Sequence, residues 1–234
     1  MYKRQDHIRR RCQEAVKAFP DGVSYASKAF LCKAIAKLVH EEGMGLDVAT
    51  IGEAYIALQS GVPASDLTLH GNNKSMEELR YAVDNGIGKV VIDSFDEIDK
   101  IEHLYATTKT PIKALVRVTP GVEAYTHKYV TTGQVDSKFG FTVQNGQAGK
   151  AIERARSSGA IDLIGLHAHI GSQIFTSDSF RKSTDILVKL AEHFGLPELC
   201  VGGGLGVPYL NDESSIPISE WGLSLIHISE PTRR

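Results

Sequence analysis

Lys28 ends the apolar run VSYASK, where its amine would project from the end of a strand into the mouth of a site. A lysine placed there can form a Schiff base, because a desolvated amine is a good nucleophile. The alternative is an ordinary lysine whose ammonium reaches solvent, and position alone favours that alternative. Lys28 is therefore a candidate for covalent chemistry that needs support from other residues.

Two histidines, His167 and His169, stand two residues apart in GLHAHIGSQ, so on a strand both side chains point to one face. The pair is compatible with a metal site, with one ring stacked on an aromatic cofactor, or with two packed interior histidines. The metal interpretation needs further ligands, for which Asp47, Asp93 and His70 are available at other strand ends. Spacing alone leaves all three interpretations open.

A glycine run, Gly202, Gly203, Gly204 and Gly206, follows the apolar segment ELCV. Glycines after a strand let backbone N–H groups converge on an anion such as phosphate. A dinucleotide fingerprint would continue into a helix, whereas here a proline follows almost at once. The alternative is a turn that needs glycine only for its tight geometry.

Two charged residues, Asp47 in GLDVAT and Arg117 in ALVRVTP, interrupt otherwise apolar strand patterns. Buried charges are costly unless they are paired or bound to a ligand. We therefore expect these two residues to pair with one another or with neighbours, or to face a ligand.

Seven β-rich runs alternate with helical stretches and would position these residues. The runs are VSYASKAF, GLDVAT, LTLHG, KVVIDS, IKALVRVTP, IDLIGLHAHIG and ELCVGGGLG. The alternation predicts an α/β fold with a parallel sheet, either a (β/α)8 barrel or an open doubly wound sheet. Because the candidate residues recur after most of the strands rather than at one switch point, we predict a TIM-type barrel, incomplete by one strand.

Three segments are predicted: an N-terminal helical lead-in over 1–21, a partial barrel over 22–222 and a non-native tail over 223–234. The string LSLIHISEPTRR after Trp221 and Gly222 follows no strand or helix pattern and resembles the translation of a sequencing-library adapter. A long aperiodic segment between Pro120 and Phe139 is typical of a functional loop.

Composition narrows the class of partner to small molecules. The net charge is −2 and no long Lys/Arg cluster is present, so we expect no binding to nucleic acid and no membrane association. Three widely spaced cysteines without a CxxC motif argue against disulfides and structural zinc, and favour a cytoplasmic protein.

Six blocks, taken in order, resemble the barrel-type, alanine-racemase-like decarboxylases that use pyridoxal 5′-phosphate (PLP). They are YASKAF, DVAT, HGNNKS, PGVEAYTHKYVTTGQVDSKFGF, HAHIGSQ and GGGLGVPY, and they extend from about Gly22 to Tyr209. Within that family, the THKY…TGQ…DSKFGF block is more similar to diaminopimelate decarboxylases than to ornithine or arginine decarboxylases.

The resemblance implies a role for most of the candidate residues. Lys28 would hold PLP as a Schiff base, His169 would stack on its ring, and Ser172 would help Gly202–Gly204 to hold the phosphate. In the same way, the resemblance implies that Asp47 and Arg117 belong to the network around the cofactor. It implies that Asn72 and Asn73 line the site near the substrate. No metal is implied.

The implied reaction is decarboxylation of meso-2,6-diaminoheptanedioate to L-lysine and carbon dioxide in a homodimeric enzyme. Members of the family continue with an EPGR-like segment and a β-domain that carries a Cys-containing motif and a substrate-site Tyr, and these are not found here. We therefore expect the chain as written to be inactive. The alternatives are a metal-dependent barrel hydrolase that uses His167 and His169, a non-catalytic PLP-binding relative, and an interaction fragment.

Overall fold

The computed structural model describes residues 2–122, 138–209 and 214–229. The strands are β1 (Ser24–Ala26), β2 (Gly45–Val48), β3 (Leu67–Leu69), β4 (Lys89–Ile92), β5 (Ile112–Thr119), β6 (Phe141–Thr142), β7 (Ile161–His167) and β8 (Glu198–Cys200). The helices are α1 (Tyr2–Ala18), α2 (Lys33–Glu41), α3 (Ile51–Leu58), α4 (Met76–Asp84), α5 (Phe95–Thr108), α6 (Gln147–Ser157), α7 (Ser177–Phe194) and α8 (Ile218–Ser229). Each of the seven predicted runs contains a strand, whereas the two-residue β6 was not predicted. Most of the predicted functional loop lies outside the described residues.

The strands form one parallel sheet in the order β1-β2-β3-β4-β5-β7-β8, with β6 paired to β5 off this path. Sheet order follows chain order, as expected when each crossover helix carries the chain to the neighbouring position. An ion pair between Lys89 and Glu198 joins the start of β4 to the start of β8, although β5 and β7 lie between those strands. The sheet therefore curls towards closure, and the prediction of an incomplete barrel is confirmed.

Local sequence accounts for where the elements form. Strand β4 (KVVI) is buried at every position after the first, as in strands covered by helices on the outside of a barrel. Ser75 caps the N-terminus of α4 and forms a capping box with Glu78. Ser94 caps α5, and its hydroxyl accepts from the Glu97 N–H. Within the described ranges, none of the helices combines the length and the apolar character that a membrane span requires.

Helix α8 packs against the first and seventh helices through a small aromatic cluster. The Trp221 ring lies 4.9 Å from that of Phe19 and 5.0 Å from that of Phe180, and Leu225 is buried beside them. The expectation that no helix follows Trp221 is therefore wrong, since α8 continues to Ser229. The predicted boundary at 222/223 falls inside this helix, and the foreign origin of the tail stays a prediction.

Strands β1 and β8 are the two ends of the described sheet. Each is hydrogen-bonded to a single neighbour, β1 to β2 and β8 to β7. Both are only three residues long, which limits the unpaired edge that another chain could use. The sequence-based count of seven strands for an eight-stranded barrel agrees with this open arrangement.

Candidate active site

The residues selected from the sequence lie at one rim of the sheet, around the carboxyl ends of the strands. Asp47 is in register with Ala26 at the end of β1, and Arg117 is in register with His167 at the end of β7. Lys28, His169 and the glycine run follow directly after β1, β7 and β8. This is the face where βα loops build sites in barrels of this type.

Lys28 lies in a short 3-10 helix, Ser27–Ala29, immediately after β1. The Tyr25 hydroxyl donates to the Phe30 carbonyl at 2.7 Å, so this bond links the two sides of the short helix. The Lys28 residue is exposed, and within the described part of the chain no hydrogen bond or ion pair engages its ammonium. The amine is therefore accessible to an incoming ligand, although the desolvation expected for a nucleophilic lysine is not supplied by the described residues.

The two histidines differ in their degree of burial, but the pKa of each is lowered. Burial lowers the pKa of half-buried His169 to about 4, and the nearby charge of Lys28 adds to this effect, followed by Arg117 and His70. Burial likewise holds the pKa of His167 well below its usual range, with further contributions from His70 and Arg117. Both rings are therefore neutral at neutral pH, the state in which a ring can stack on a cofactor without adding charge.

These pKa shifts predict that acid destabilises the protein. In the unfolded chain a histidine has a pKa near 6.5, so between about pH 6.5 and about pH 4 the unfolded state binds more protons than the folded state. The free energy of unfolding should therefore fall as pH decreases through this window. Urea unfolding at about pH 7 and about pH 5 measures the loss. The His167→Asn/His169→Asn double variant should lose less stability over the same interval, and an equal loss in both proteins would contradict the assignment.

A polar cluster lies behind these residues in the interior of the sheet. His70 Nε2 is 3.3 Å from Asp47 Oδ1 without the alignment of a hydrogen bond, and the His70 and His167 rings meet edge to face at 5.0 Å. Within the described ranges, four buried side-chain polar atoms have no hydrogen-bond partner: Trp221 Nε1 in the α8 cluster and, towards the rim, Ser27 Oγ, His70 Nε2 and His167 Nδ1. Buried polar atoms are normally satisfied, so the three towards the rim point to a ligand or water in the interior.

The metal interpretation finds no support in this geometry. Among the residues that the structure describes, no group of three or more His, Cys, Asp or Glu side chains is arranged to hold a metal ion. Within the described ranges, His167 and His169 are therefore not joined by the additional ligands that a catalytic zinc or a similar metal would require.

Arg117 pairs with Asp93 rather than with Asp47. Its Nη1 donates to Asp93 Oδ2 at 3.1 Å, and its guanidinium lies 4.5 Å from the centre of the Phe139 ring. The Gly140 N–H donates to the other Asp93 oxygen. Of the expectations for Asp47 and Arg117, pairing with each other is wrong, while pairing of Arg117 with a neighbour is confirmed.

A buried ion pair that was not predicted from the sequence joins Lys74 and Glu97, whose side chains are 1% and 0% exposed. Lys74 Nζ lies 2.9 Å from Glu97 Oε2 and also donates to the carbonyls of Gly71 (2.7 Å) and Val91 (2.6 Å). Glu97 also accepts from the backbone N–H groups of Lys74 and Asp93. The pair thereby ties the loop after β3 to the end of β4, next to the Arg117 pair.

The glycine run forms a loop with backbone donors available. Gly202 and Gly204 have φ of +72° and +110°, and a Cβ on either would overlap a backbone carbonyl, that of Ala168 or that of Gly171. Gly203 faces open space, and within the described part of the chain no acceptor engages the N–H groups of Gly203 and Gly204. This arrangement is suited to an anion such as phosphate.

Three other predicted residues are exposed at the same rim. Ser172 has its Cα 3.4 Å from the point that a Cβ on Gly204 would occupy, so it adjoins the glycine loop. Asn72 and Asn73 lie in the loop that Lys74 anchors, and no described contact brings them to Lys28 or His169. Their roles stay predictions.

Similarity to known proteins shows that the chain belongs to the family of pyridoxal-dependent decarboxylases. Residues 5–230 match the model of the "Pyridoxal-dependent decarboxylase, pyridoxal binding domain". The diaminopimelate decarboxylase of Bacillus subtilis (strain 168) is 46% identical over 205 residues, which are 85% of this chain and 47% of that protein. The chain thus spans about half the length of the relatives it matches.

Solved structures agree with this assignment. The diaminopimelate decarboxylase of M. jannaschii superposes with a TM-score of 0.87 at 28% identity, covering 96% of this chain and 55% of that one. The Helicobacter pylori enzyme, crystallised with L-lysine, gives a TM-score of 0.88 at 27% identity, covering 96% of this chain and 58% of that one. The described strands and helices therefore have the fold of somewhat more than half of each of these two structures.

Proposed function

We propose that this chain is the PLP-binding part of a diaminopimelate decarboxylase. The proposed reaction removes the carboxylate at the D centre of meso-2,6-diaminoheptanedioate and yields L-lysine and carbon dioxide. The main support for this proposal is that an accessible lysine, a neutral histidine and a glycine loop with available N–H groups lie on the same rim of the sheet. They follow β1, β7 and β8, respectively. The identity with diaminopimelate decarboxylases supports the choice of substrate.

The residues at this rim fit PLP. Lys28 offers an amine to the aldehyde, the neutral ring of His169 offers a stacking surface, and the N–H groups of Gly203 and Gly204 offer donors to the phosphate. When bound, PLP supplies an electron sink for the bond that breaks at the substrate α-carbon. The unsatisfied polar atoms behind the rim are further evidence for a polar guest.

The remaining charged residues would order the site rather than react. Asp93 holds Arg117 in place from the adjacent strand, so that the guanidinium keeps a fixed position and its positive charge disfavours protonation of His169. Asp47 places a carboxylate beside His70. Arg117 would offer a positive charge to a carboxylate substrate entering this rim, and Asn72 and Asn73 would line the approach.

The chain by itself is proposed to be inactive. The relatives are about twice as long, and the family resemblance places a residue that bonds the pyridine nitrogen and the groups that complete the site across a homodimer in the part that is not matched here. The complete protein is proposed to be cytoplasmic and homodimeric. Residues 1–21 are proposed as a lead-in, 22–222 as the barrel part and 223–234 as a foreign tail.

The test of this proposal is release of carbon dioxide by the complete protein that contains this chain. With PLP and meso-2,6-diaminoheptanedioate we expect equal amounts of carbon dioxide and L-lysine, and no release from the L,L isomer, which lacks a D centre. Ornithine and arginine serve as competing substrates. Preference for either one would reject the assigned substrate, and PLP-independent turnover would reject the assigned chemistry.

A further inference from the structure

We propose that Gln173 is a positioning residue that holds the phosphate-binding loop in shape. This inference rests on the proposed function, because it assumes that the glycine run Gly202–Gly204 binds the phosphate of PLP. Gln173 follows the predicted phosphate ligand Ser172 directly in the chain. Its side chain, which bonds to the backbone of Val207 directly after the glycine run, sets the affinity for phosphate without touching it.

The carboxamide of Gln173 is bonded to the backbone after the glycine run on both of its polar atoms. The Val207 N–H donates to Gln173 Oε1 at 3.0 Å, and Gln173 Nε2 donates to the Val207 carbonyl at 3.2 Å. The side chain therefore forms with the Val207 backbone the same pair of hydrogen bonds that a residue of a neighbouring strand would form. Only an amide can provide both a donor and an acceptor with this reach.

The backbone next to Gln173 continues the same connection. The Ile174 N–H donates to the Gly204 carbonyl at 2.9 Å, and the Gly206 N–H donates to the Ile174 carbonyl at 2.8 Å. Together with the two side-chain bonds, four hydrogen bonds join residues 173–174 to residues 204–207. This ladder fixes the C-terminal half of the glycine run against the loop that carries Ser172.

The backbone at Gln173 indicates that the side chain is needed there. Its φ is +58°, in the left-handed region that favours glycine, and a bulky residue is uncommon in it. Glycine would adopt this conformation without steric cost but would lose both side-chain bonds. The position therefore separates two properties, backbone conformation and side-chain bonding, that a variant can test one at a time.

The experiment compares PLP with pyridoxal, which has the same aldehyde but no phosphate. Each ligand is titrated into the chain and trapped on Lys28 with borohydride, and mass spectrometry quantifies the adduct. Gln173→Gly should weaken PLP binding roughly tenfold, because two hydrogen bonds that order the loop are lost. Pyridoxal binding should be unchanged, because the contacts of the aldehyde with Lys28 are unaffected.

A second variant changes charge rather than backbone freedom. In Gln173→Glu the carboxylate can accept from the Val207 N–H but cannot donate to its carbonyl, and it adds negative charge close to the phosphate loop. We expect a larger loss of PLP affinity than in Gln173→Gly, again with pyridoxal unchanged. Gln59→Glu makes the same exchange at an exposed position at the end of α3 and should change neither affinity.

The outcomes separate this inference from the function on which it rests. If the unchanged chain prefers PLP and the preference survives both substitutions at position 173, Gln173 has no positioning role. A loss that is equal for PLP and pyridoxal, including one caused by misfolding, also overturns the inference. If the unchanged chain shows no preference for PLP over pyridoxal, the glycine loop is not a phosphate site, and the proposed function fails together with this inference.

Discussion

Lys28→Ala is expected to abolish covalent capture of PLP by this chain. After incubation with a low concentration of PLP and reduction with borohydride, the unchanged chain should carry roughly one pyridoxyl group, on Lys28. Lys28 is singled out because its unengaged amine shares a rim with neutral His169 and the donor groups of the glycine loop. Removing the amine leaves the phosphate loop intact but removes the only atom to which the aldehyde is expected to bond there.

Absorbance spectra and peptide mass spectrometry measure this result. Lys33→Ala is the matched control, since Lys33 is an exposed lysine five residues further along at the start of α2. It should retain the full adduct on Lys28. An adduct spread over several surface lysines, or one that persists in Lys28→Ala, would show that Lys28 is not the lysine that binds PLP. The alternatives that do not involve PLP would then be favoured.

Glu97→Gln is expected to lower the free energy of unfolding by about 3–5 kcal/mol, because it leaves the Lys74 ammonium buried without a counter-charge. The effect should be large because both side chains are almost completely buried. Burial lowers the pKa of Lys74, and the Glu97 carboxylate opposes that shift. The loop that carries Asn72 and Asn73 is anchored by the same ammonium and should loosen in this variant.

Urea unfolding followed by circular dichroism measures the loss. Asp185→Asn breaks an exposed ion pair of 2.7 Å with Lys189 on α7 and should cost less than about 1 kcal/mol. The Lys74→Met/Glu97→Gln double variant, which removes both charges, should lose less stability than the sum of the two single variants. Additive losses, or an effect of Glu97→Gln as small as that of Asp185→Asn, would show that the two residues are not coupled.

The sequence was sufficient to predict the sheet because the period of apolar residues and the chain order carry most of the information in a βα fold. Each of the seven predicted runs contains a strand, and Lys28, His169 and the glycine run follow β1, β7 and β8. The two-residue β6 could not be predicted, since its pairing with β5 is a tertiary contact with no periodic signal. The apolar residues of α8 were misjudged because an adapter-like string was assumed to have no structure.

Partners across the sheet were harder to predict than positions along it. The sequence leaves open whether Arg117 pairs with Asp47 or with another neighbour. Asp47 lies on β2, whereas Asp93, the observed partner, follows β4, the direct neighbour of β5. Glu97 occupies the third position of a helix after a capping serine, where a solvated carboxylate is the ordinary expectation. Its burial against Lys74, 23 residues away, depends on the packing of two loops and leaves no local signal.

The two end strands of the sheet carry the two attachment points proposed for PLP. Lys28 follows β1, and the phosphate loop follows β8, and neither strand has a second neighbour in the described sheet. A molecule bonded to both would bridge the gap between the ends and resist flattening of the curled sheet. A molecule that bound the curved state and not the flattened one would stabilise the curved state by an amount that rises logarithmically with the ratio of its free concentration to its dissociation constant. The cofactor would then stabilise the curved sheet as well as take part in the reaction.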